Sequence, residues 1–251
     1  MKYKFMSKSV IIIPSRLAAT RLPNKPLIKI KDKPLIIHVY EKAVKSGVGD
    51  VYVATCDEKI ASVIDKNGGR YILTKDTHLS GTDRVYEASK KLDLQKNDTI
   101  INIQGDEPMI NPEDIKNLNN ISKNSDIEFS TLAFKIRDKR DYKNRNVVKV
   151  KTKNKITNSS FSLALNFSRK INNTENNNIY HHYGIYLYKF SLLEKFINLS
   201  QSKNEINEKL EQLRALDNNI NISVILAKHF SIGIDTEEDL YNYRKYINKG
   251  K

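Results

Sequence analysis

Apolar residues along this chain switch between two spacings, and the switching predicts most of its elements. Val10-Ile-Ile-Ile is a continuous β-branched run, as in a strand buried on both faces, and predicts a parallel strand over residues 8–13 that Pro14 ends. A polar loop runs on to Pro26. Pro34 then opens a helix in which Leu35, Ile36, Val39, Ala43 and Val44 recur at helical spacing until Gly47 and Gly49 stop it. The pattern continues with a strand at 51–55, a helix at 58–66 closed by Asn67-Gly-Gly, a short strand at 71–73, a helix at 82–92 and a strand at 99–104. This alternation argues a three-layer α/β fold around a mostly parallel sheet.

Beyond that point the regular alternation stops. Residues 129–136, 147–151 and 155–167 read as strands with little helix between them. Residues 172–178 read as a loop too polar to fold alone. A strand at 183–188, a helix at 205–216, a strand at 222–227 and a helix at 236–246 complete the chain. No repeat and no Gly-, Ser- or Pro-rich linker separates domains, so a single domain over 1–251 with a β-rich lobe inserted at 129–190 is expected.

Composition narrows the classes. A chain of 251 residues with 39% apolar residues suits one soluble α/β domain. No apolar run is long enough to cross a bilayer, and the opening residues 1–9 are too polar for a signal peptide, so a cytoplasmic protein is expected. The single cysteine, Cys56, excludes an internal disulfide framework. A net charge of +14 invites a nucleic-acid-binding reading, the alternative of a different class. Against it, the lysines are scattered, no C-x-x-C finger or RNP-like signature is present, and there is no tryptophan. Anionic small substrates fit the charge equally well.

The candidate chemistry sits where strands end. Ile101-Asn-Ile-Gln-Gly-Asp-Glu-Pro takes an apolar strand into Gly105 and Asp106, outside the carboxyl end of the strand, where open α/β sheets bind ligands. Gly105 is expected to allow a sharp turn. The loop after the first strand, Pro14-Ser-Arg-Leu-Ala-Ala-Thr-Arg-Leu-Pro-Asn-Lys-Pro-Leu, is neither a Walker A loop nor G-x-G-x-x-G. Phosphate oxygens would have to be met there by side chains, with Arg16 and Arg21 as forked donors and Lys25 as a point charge. Asp235, in Gly233-Ile-Asp-Thr-Glu-Glu, is a second candidate acid, although it or Thr236 also reads as a helix N-cap. One or two carboxylates together with phosphate oxygens are the usual setting for Mg²⁺ on a nucleoside triphosphate.

These motifs carry a resemblance. Arg21-Leu-Pro-Asn-Lys-Pro-Leu, Ser80-Gly-Thr-Asp-Arg, Asn102-Ile-Gln-Gly-Asp-Glu-Pro, Asn146-Val-Val-Lys-Val, Phe167-Ser-Arg, His182-Tyr-Gly-Ile-Tyr, Leu210-Glu-Gln-Leu-Arg and Asp235-Thr-Glu-Glu-Asp-Leu run in order over nearly the whole chain. Together they resemble the 3-deoxy-manno-octulosonate (KDO) cytidylyltransferases. The resemblance implies a nucleotidyltransferase fold of glycosyltransferase-A-like type, with the inserted lobe serving sugar binding and dimerisation. It implies transfer of CMP from CTP to the anomeric hydroxyl of KDO for lipopolysaccharide, release of pyrophosphate, Mg²⁺ as cofactor and a homodimer.

By the same resemblance Arg16, Arg21, Lys25 and Ser80 would hold the nucleotide. Asp106 and Asp235 would carry the metal, and Arg21, Lys25, Asp106 and Asp235 would form the catalytic set. The sugar would meet Arg84, Gln104, Arg169, His182, Tyr186, Glu211 and Gln212, with Arg84 or Arg169 answering its carboxylate. Other acidic sugars, namely 8-amino-KDO, a capsular ulosonate or a sialic acid, are the alternative acceptors. The chain departs from the family pattern at Asn24, commonly glycine, at Cys56-Asp57, which shifts an acid by one position, and in the asparagine-rich stretch after Arg169. Asn24 is expected to tolerate a left-handed turn.

Overall fold

The computed structural model describes residues 7–18, 21–171 and 178–249. They divide into two compact units, one formed by the chain up to Lys116 together with the stretch from Ser231 onward, the other by Asn117–Phe230. The lobe expected at 129–190 falls inside the second unit, which extends beyond it to Phe230.

In the first unit, β1 (Ser9–Ser15) leads through the hairpin of β2 (Lys29–Ile30) and β3 (Lys33–Pro34) to α1 (Leu35–Lys45). There follow β4 (Asp50–Thr55), α2 (Glu58–Lys66), β5 (Tyr71–Leu73), α3 (Gly81–Lys91) and β6 (Thr99–Ile103). The main strands pair in parallel in the order β5-β4-β1-β6, with Ile11 beside both Val51 and Ile101. The chain steps one way from β1 to β4 to β5 and then returns to β6. Right-handed crossovers therefore put α1 and α2 on one face and α3 on the other. The reversal makes a switch point between β1 and β6, the place where such sheets open a crevice for ligands.

Strand β1 runs past Pro14, which does not end it: Pro14 and Ser15 pair with Ala54 and Thr55. Proline is tolerated because pairing with β6 stops at Ile12–Asn102, so that side of the ladder no longer needs an N–H at position 14. The loop beyond is tied down at several points. The Leu17 N–H donates to Asp57 Oδ2 at 2.9 Å. Asn24 takes the left-handed conformation, φ 54°, ahead of a 3-10 turn at Lys25–Leu27. Leu22 is buried with Ile30, Leu35, Ile234, Leu240 and Tyr243, a cluster that fastens this basic loop to the final helix α8 (Glu237–Lys249).

The second unit holds β7 (Phe129–Lys135), β8 (Lys149–Thr152), β9 (Phe161–Ser168), β10 (Ile179–Lys189) and β11 (Ser223–Leu226). Their order is β10-β7-β11-β9-β8, and β8 also pairs with β10 at Ile179–His181, so the five strands close on one another. Only β7 and β11 run parallel; the other pairs are antiparallel. The β10–β7 register shifts between His182 and Tyr186, and Thr131 Oγ1 fills the irregularity by donating to the Ile185 carbonyl at 2.7 Å.

Several expected elements are corrected. The strand at 155–167 is shorter, because residues 157–160 turn around the Thr157 hydroxyl, which lies 2.7 Å from Ser160 Oγ. The single helix at 205–216 is two, α6 (Lys203–Glu208) and α7 (Gln212–Asp217), broken at left-handed Lys209, φ 54°. Two helices went unforeseen. In α4 (Pro112–Asn124) the apolar Ile115, Leu118 and Ile121 are diluted by asparagine, and in α5 (Phe190–Ile197) apolar residues occupy too many positions for a period to show. Most of the predicted loop at 172–178, residues 172–177, lies outside the described residues. Among the described residues no helix is long and apolar enough to cross a membrane.

The α6–α7 break is clamped by a buried fork: Arg214 Nε and Nη2 donate to Glu205 Oε2 and Oε1 at 2.8 and 2.6 Å. Ser202 and Glu205 form the capping box of α6, so the same glutamate orders both helices. Arg214→Ala should lower unfolding stability in urea by roughly 3–5 kcal/mol, because it strands a buried carboxylate. The double substitution Glu205→Leu/Arg214→Met should recover much of the loss.

Candidate active site

A cleft of ≈ 340 Å³ opens at the switch point of the first unit. Arg16, Arg21 and Lys25 reach it from the loop after β1. Ser80 and Arg84 come from the start of α3, Gln104 and Asp106 from the end of β6, and Asp235 from the segment before α8. Every residue expected to hold nucleotide or metal therefore lines one cleft, together with two of those expected to hold sugar.

The arrangement follows from the local fold. The Ile234 N–H donates to the Asp106 carbonyl at 2.8 Å and brings the two acid-bearing segments side by side. Gly105 lies in a turn, as expected, closed by the Glu107 N–H donating to the Gln104 carbonyl at 3.2 Å. Its φ is not positive, and what glycine supplies there is room, since a Cβ would lie 3.0 Å from the Pro14 carbonyl oxygen. Thr236 settles the open question of the last helix cap. Its Oγ1 accepts from the Asp239 N–H at 3.2 Å, and Asp239 Oδ2 accepts from the Thr236 N–H at 2.9 Å, which releases the Asp235 side chain to the cleft.

That side chain meets the loop cations. Lys25 Nζ lies 2.7 Å from Asp106 Oδ2 and 2.9 Å from Asp235 Oδ1, and Arg21 Nη2 lies 3.2 Å from Asp235 Oδ2. Burial opposes the charge on Lys25, but Asp106 and then Asp235 outweigh it and raise its pKa above the ordinary lysine value. Two hard carboxylates thus converge on a single cationic position, a donor set suited to Mg²⁺ completed by water and phosphate oxygens. Among the described residues no cluster of three or more His, Cys, Asp or Glu side chains could hold a metal.

The remaining cleft residues are more constrained than their sequence suggests. Ser80 caps α3: its Oγ accepts from the Asp83 N–H at 3.1 Å while Asp83 takes the Ser80 N–H at 3.0 Å. Its hydroxyl is thereby committed, and what it turns toward the cleft is the start of an 11-residue helix, favourable to anions. Arg84 is buried, with Nη1 donating to Thr74 Oγ1 and to the Lys75 carbonyl. Gln104 Nε2 donates at 3.2 Å to Asn102 Oδ1, and Asn102 is fully buried in β6. Sequence reasoning missed His78, which lines the cleft and pairs with Glu87, and Ser15, whose buried Oγ has no partner among the described residues. Neither stands in a pattern with a recognisable period.

Arg169, His182, Tyr186, Glu211 and Gln212 belong to the second unit and gather there. Arg169 donates from Nε to the Glu208 carbonyl at 2.9 Å, from Nη1 to that of Arg145 at 3.1 Å and from Nη2 to that of Lys209 at 3.2 Å. It is thereby fixed against the turn that leads to Glu211 and buried Gln212. His182, 6% exposed, packs edge-on against Phe167 and tilted against Tyr186. Thr131 spends its proton on the Ile185 carbonyl, so the contact at 2.9 Å has His182 Nε2 donating to Thr131 Oγ1. Burial, helped by His181, lowers the His182 pKa to about 3. Burial and then Glu211 push the Tyr186 phenol up, keeping it a protonated donor.

A parallel sheet with a basic, acid-paired cleft at its switch point defines a nucleotide-binding α/β enzyme, and comparison makes it a nucleotidyltransferase. A UDP-glucose pyrophosphorylase in complex with UDP-glucose, 13% identical, shares the fold with a TM-score of 0.71 over 98% of this chain and 100% of its own. A family model described as cytidylyltransferase matches residues 10–222. The 3-deoxy-manno-octulosonate cytidylyltransferase of Thermodesulfovibrio yellowstonii is 42% identical over 257 residues, covering 96% of this chain and 98% of the relative. That of Bartonella tribocorum is 40% identical over 243 residues, covering 95% and 98%. A CMP:2-keto-3-deoxy-manno-octonic acid synthetase solved with CTP superposes with a TM-score of 0.88 at 36% identity, over 98% of this chain and 100% of that one. The chain belongs to the 3-deoxy-manno-octulosonate cytidylyltransferase family.

Buried His182 makes the fold acid-sensitive. His182 holds no proton in the folded state until pH approaches about 3, whereas the unfolded chain takes one up near 6.5. Stability conferred by the neutral ring is thus intact above pH 6.5 and lost as pH falls from there toward 3. In urea unfolding between pH 6 and pH 4.5, His182→Asn should flatten the pH dependence by about one proton. An unchanged slope would mean the ring is already protonated in the fold.

Proposed function

We propose that this protein transfers CMP from CTP to the anomeric hydroxyl of KDO and releases pyrophosphate, with Mg²⁺ held by Asp106 and Asp235. The observation that carries the reading is the cleft itself: three loop cations and an inward-facing acid pair at a switch point, in a chain of this family. Lipopolysaccharide synthesis, a cytoplasmic location and a homodimeric state extend the same reading.

The residues have definable tasks. Arg16 and Arg21 offer forked donors to the triphosphate, and the start of α3 offers backbone N–H groups. Lys25, next to both acids, is placed to neutralise charge on the departing pyrophosphate. Mg²⁺, when bound, supplies charge neutralisation at the α-phosphate and lowers the pKa of the attacking hydroxyl. The second unit's cluster of Arg169, His182, Tyr186, Glu211 and Gln212 is the proposed sugar site, with Arg169 the partner of the sugar carboxylate. Three of its donors already rest on main-chain carbonyls, so the carboxylate would take those that remain. Positioning and electrostatics suffice for this chemistry, and no protein base is assigned.

Purified protein should release pyrophosphate from CTP with KDO and Mg²⁺, and EDTA should abolish the release. Release only with 8-amino-KDO, a capsular ulosonate or a sialic acid would move the enzyme to another acidic sugar; no release with any of them would overturn the reading. Asp106→Asn should cut turnover ~10²–10³-fold while the circular dichroism spectrum stays unchanged. Arg169→Ala should raise the KM for KDO ~10–100-fold, the worth of a charge-assisted hydrogen bond, with far less effect on the KM for CTP. Equal rises in both would argue against its assignment.

A further inference from the structure

We infer that Lys25 is an internal counter-ion that holds the metal position shut until nucleotide draws it away, so that this enzyme takes up its divalent cation with CTP and not before it. The inference rests on the proposed metal role of Asp106 and Asp235.

Geometry carries it. Lys25 Nζ sits between the two carboxylates at 2.7 and 2.9 Å, its side chain only 13% exposed, and Arg21 takes the remaining face of Asp235 at 3.2 Å. Two negative charges are thus matched by two positive ones of the chain's own. A divalent cation entering between the acids would meet an ammonium already there, at a range where like charges repel strongly in a partly buried site. The Lys25 stem begins the 3-10 turn whose Pro26 is buried and which follows buried Leu22, so the backbone is anchored and the ammonium moves only by side-chain rotation.

A triphosphate changes the balance. Lys25 lines the same cleft as Arg16 and Arg21, so a bound triphosphate offers its ammonium an anionic partner of higher charge within reach of a side-chain rotation. Once the ammonium turns to the phosphates, the acids are released to a cation that phosphate oxygens help to hold. Coupling of this kind is reciprocal, and the nucleotide and the cation should each tighten the other's binding.

The test is titration of Mn²⁺ alone into the nucleotide-free full-length protein, with free Mn²⁺ read by electron paramagnetic resonance. Wild type should bind weakly, Lys25→Met at least ~10-fold more tightly, and Lys25→Met/Asp106→Asn should lose the gain. Equal affinity of wild type and Lys25→Met would overturn the inference, as would a gain that survives loss of Asp106. Lys25→Gln serves as the second variant, with thermal melting of each to confirm folding. On wild type itself, millimolar Mg²⁺ without nucleotide should leave the melting temperature unchanged; a clear rise would overturn the inference without any variant. Pyrophosphate release from CTP and KDO is read separately. Its absence would remove the functional reading, whereas its presence with tight nucleotide-free Mn²⁺ binding would remove only the role given to Lys25.

Discussion

One ionic constraint organises this protein: Lys25 stands between Asp106 and Asp235. The three residues come from a loop, a strand end and the segment before the last helix, and each is held by something other than the ion pairs. Leu22 and its apolar partners fix the loop. The Ile234–Asp106 backbone hydrogen bond aligns the acids. Thr236 takes over the helix cap and leaves Asp235 to the cleft. The charges converge because uncharged parts of the fold leave them no other place.

The same economy recurs around the cleft. Ser80 and Asp83 close a capping box, so α3 starts at the cleft wall with its first N–H groups ordered. Gly105 allows the turn after β6 to pass close to the end of β1, where a Cβ would lie 3.0 Å from the Pro14 carbonyl oxygen. Asp57 ties the basic loop by accepting from the Leu17 N–H. In the second unit Arg169 and the Arg214–Glu205 fork fasten the α6–α7 turn that presents Glu211 and Gln212.

The first unit was legible in the sequence because its signals are local. Runs such as Val10–Ile13 and the helical spacing of Leu35, Ile36 and Val39 report burial directly, and Pro34, Gly47 and Asn67-Gly-Gly punctuate them. The loop cations and Asp106 could be anticipated because strand ends at a switch point are few and they occupy them, and Asp235 because it directly precedes the last helix; Ser80 and Arg84 were marked only by the family resemblance. What escaped reading depends on contacts distant along the chain. The break at Lys209 is set by a salt bridge folding α7 back onto α6, and the irregularity at His182–Tyr186 by a hydroxyl on a neighbouring strand. His78 and Ser15 reach the cleft only through the path of the folded chain, and no spacing in the sequence marks them.

If Lys25 is the counter-ion inferred above, it exchanges its carboxylate partners for phosphate when CTP arrives. A crystal structure of the protein with CTP tests it most directly. Lys25 Nζ should then lie on a phosphate oxygen and beyond hydrogen-bond reach of at least one of Asp106 and Asp235. CTP bound with Lys25 still 2.7 and 2.9 Å from the two acids would contradict it.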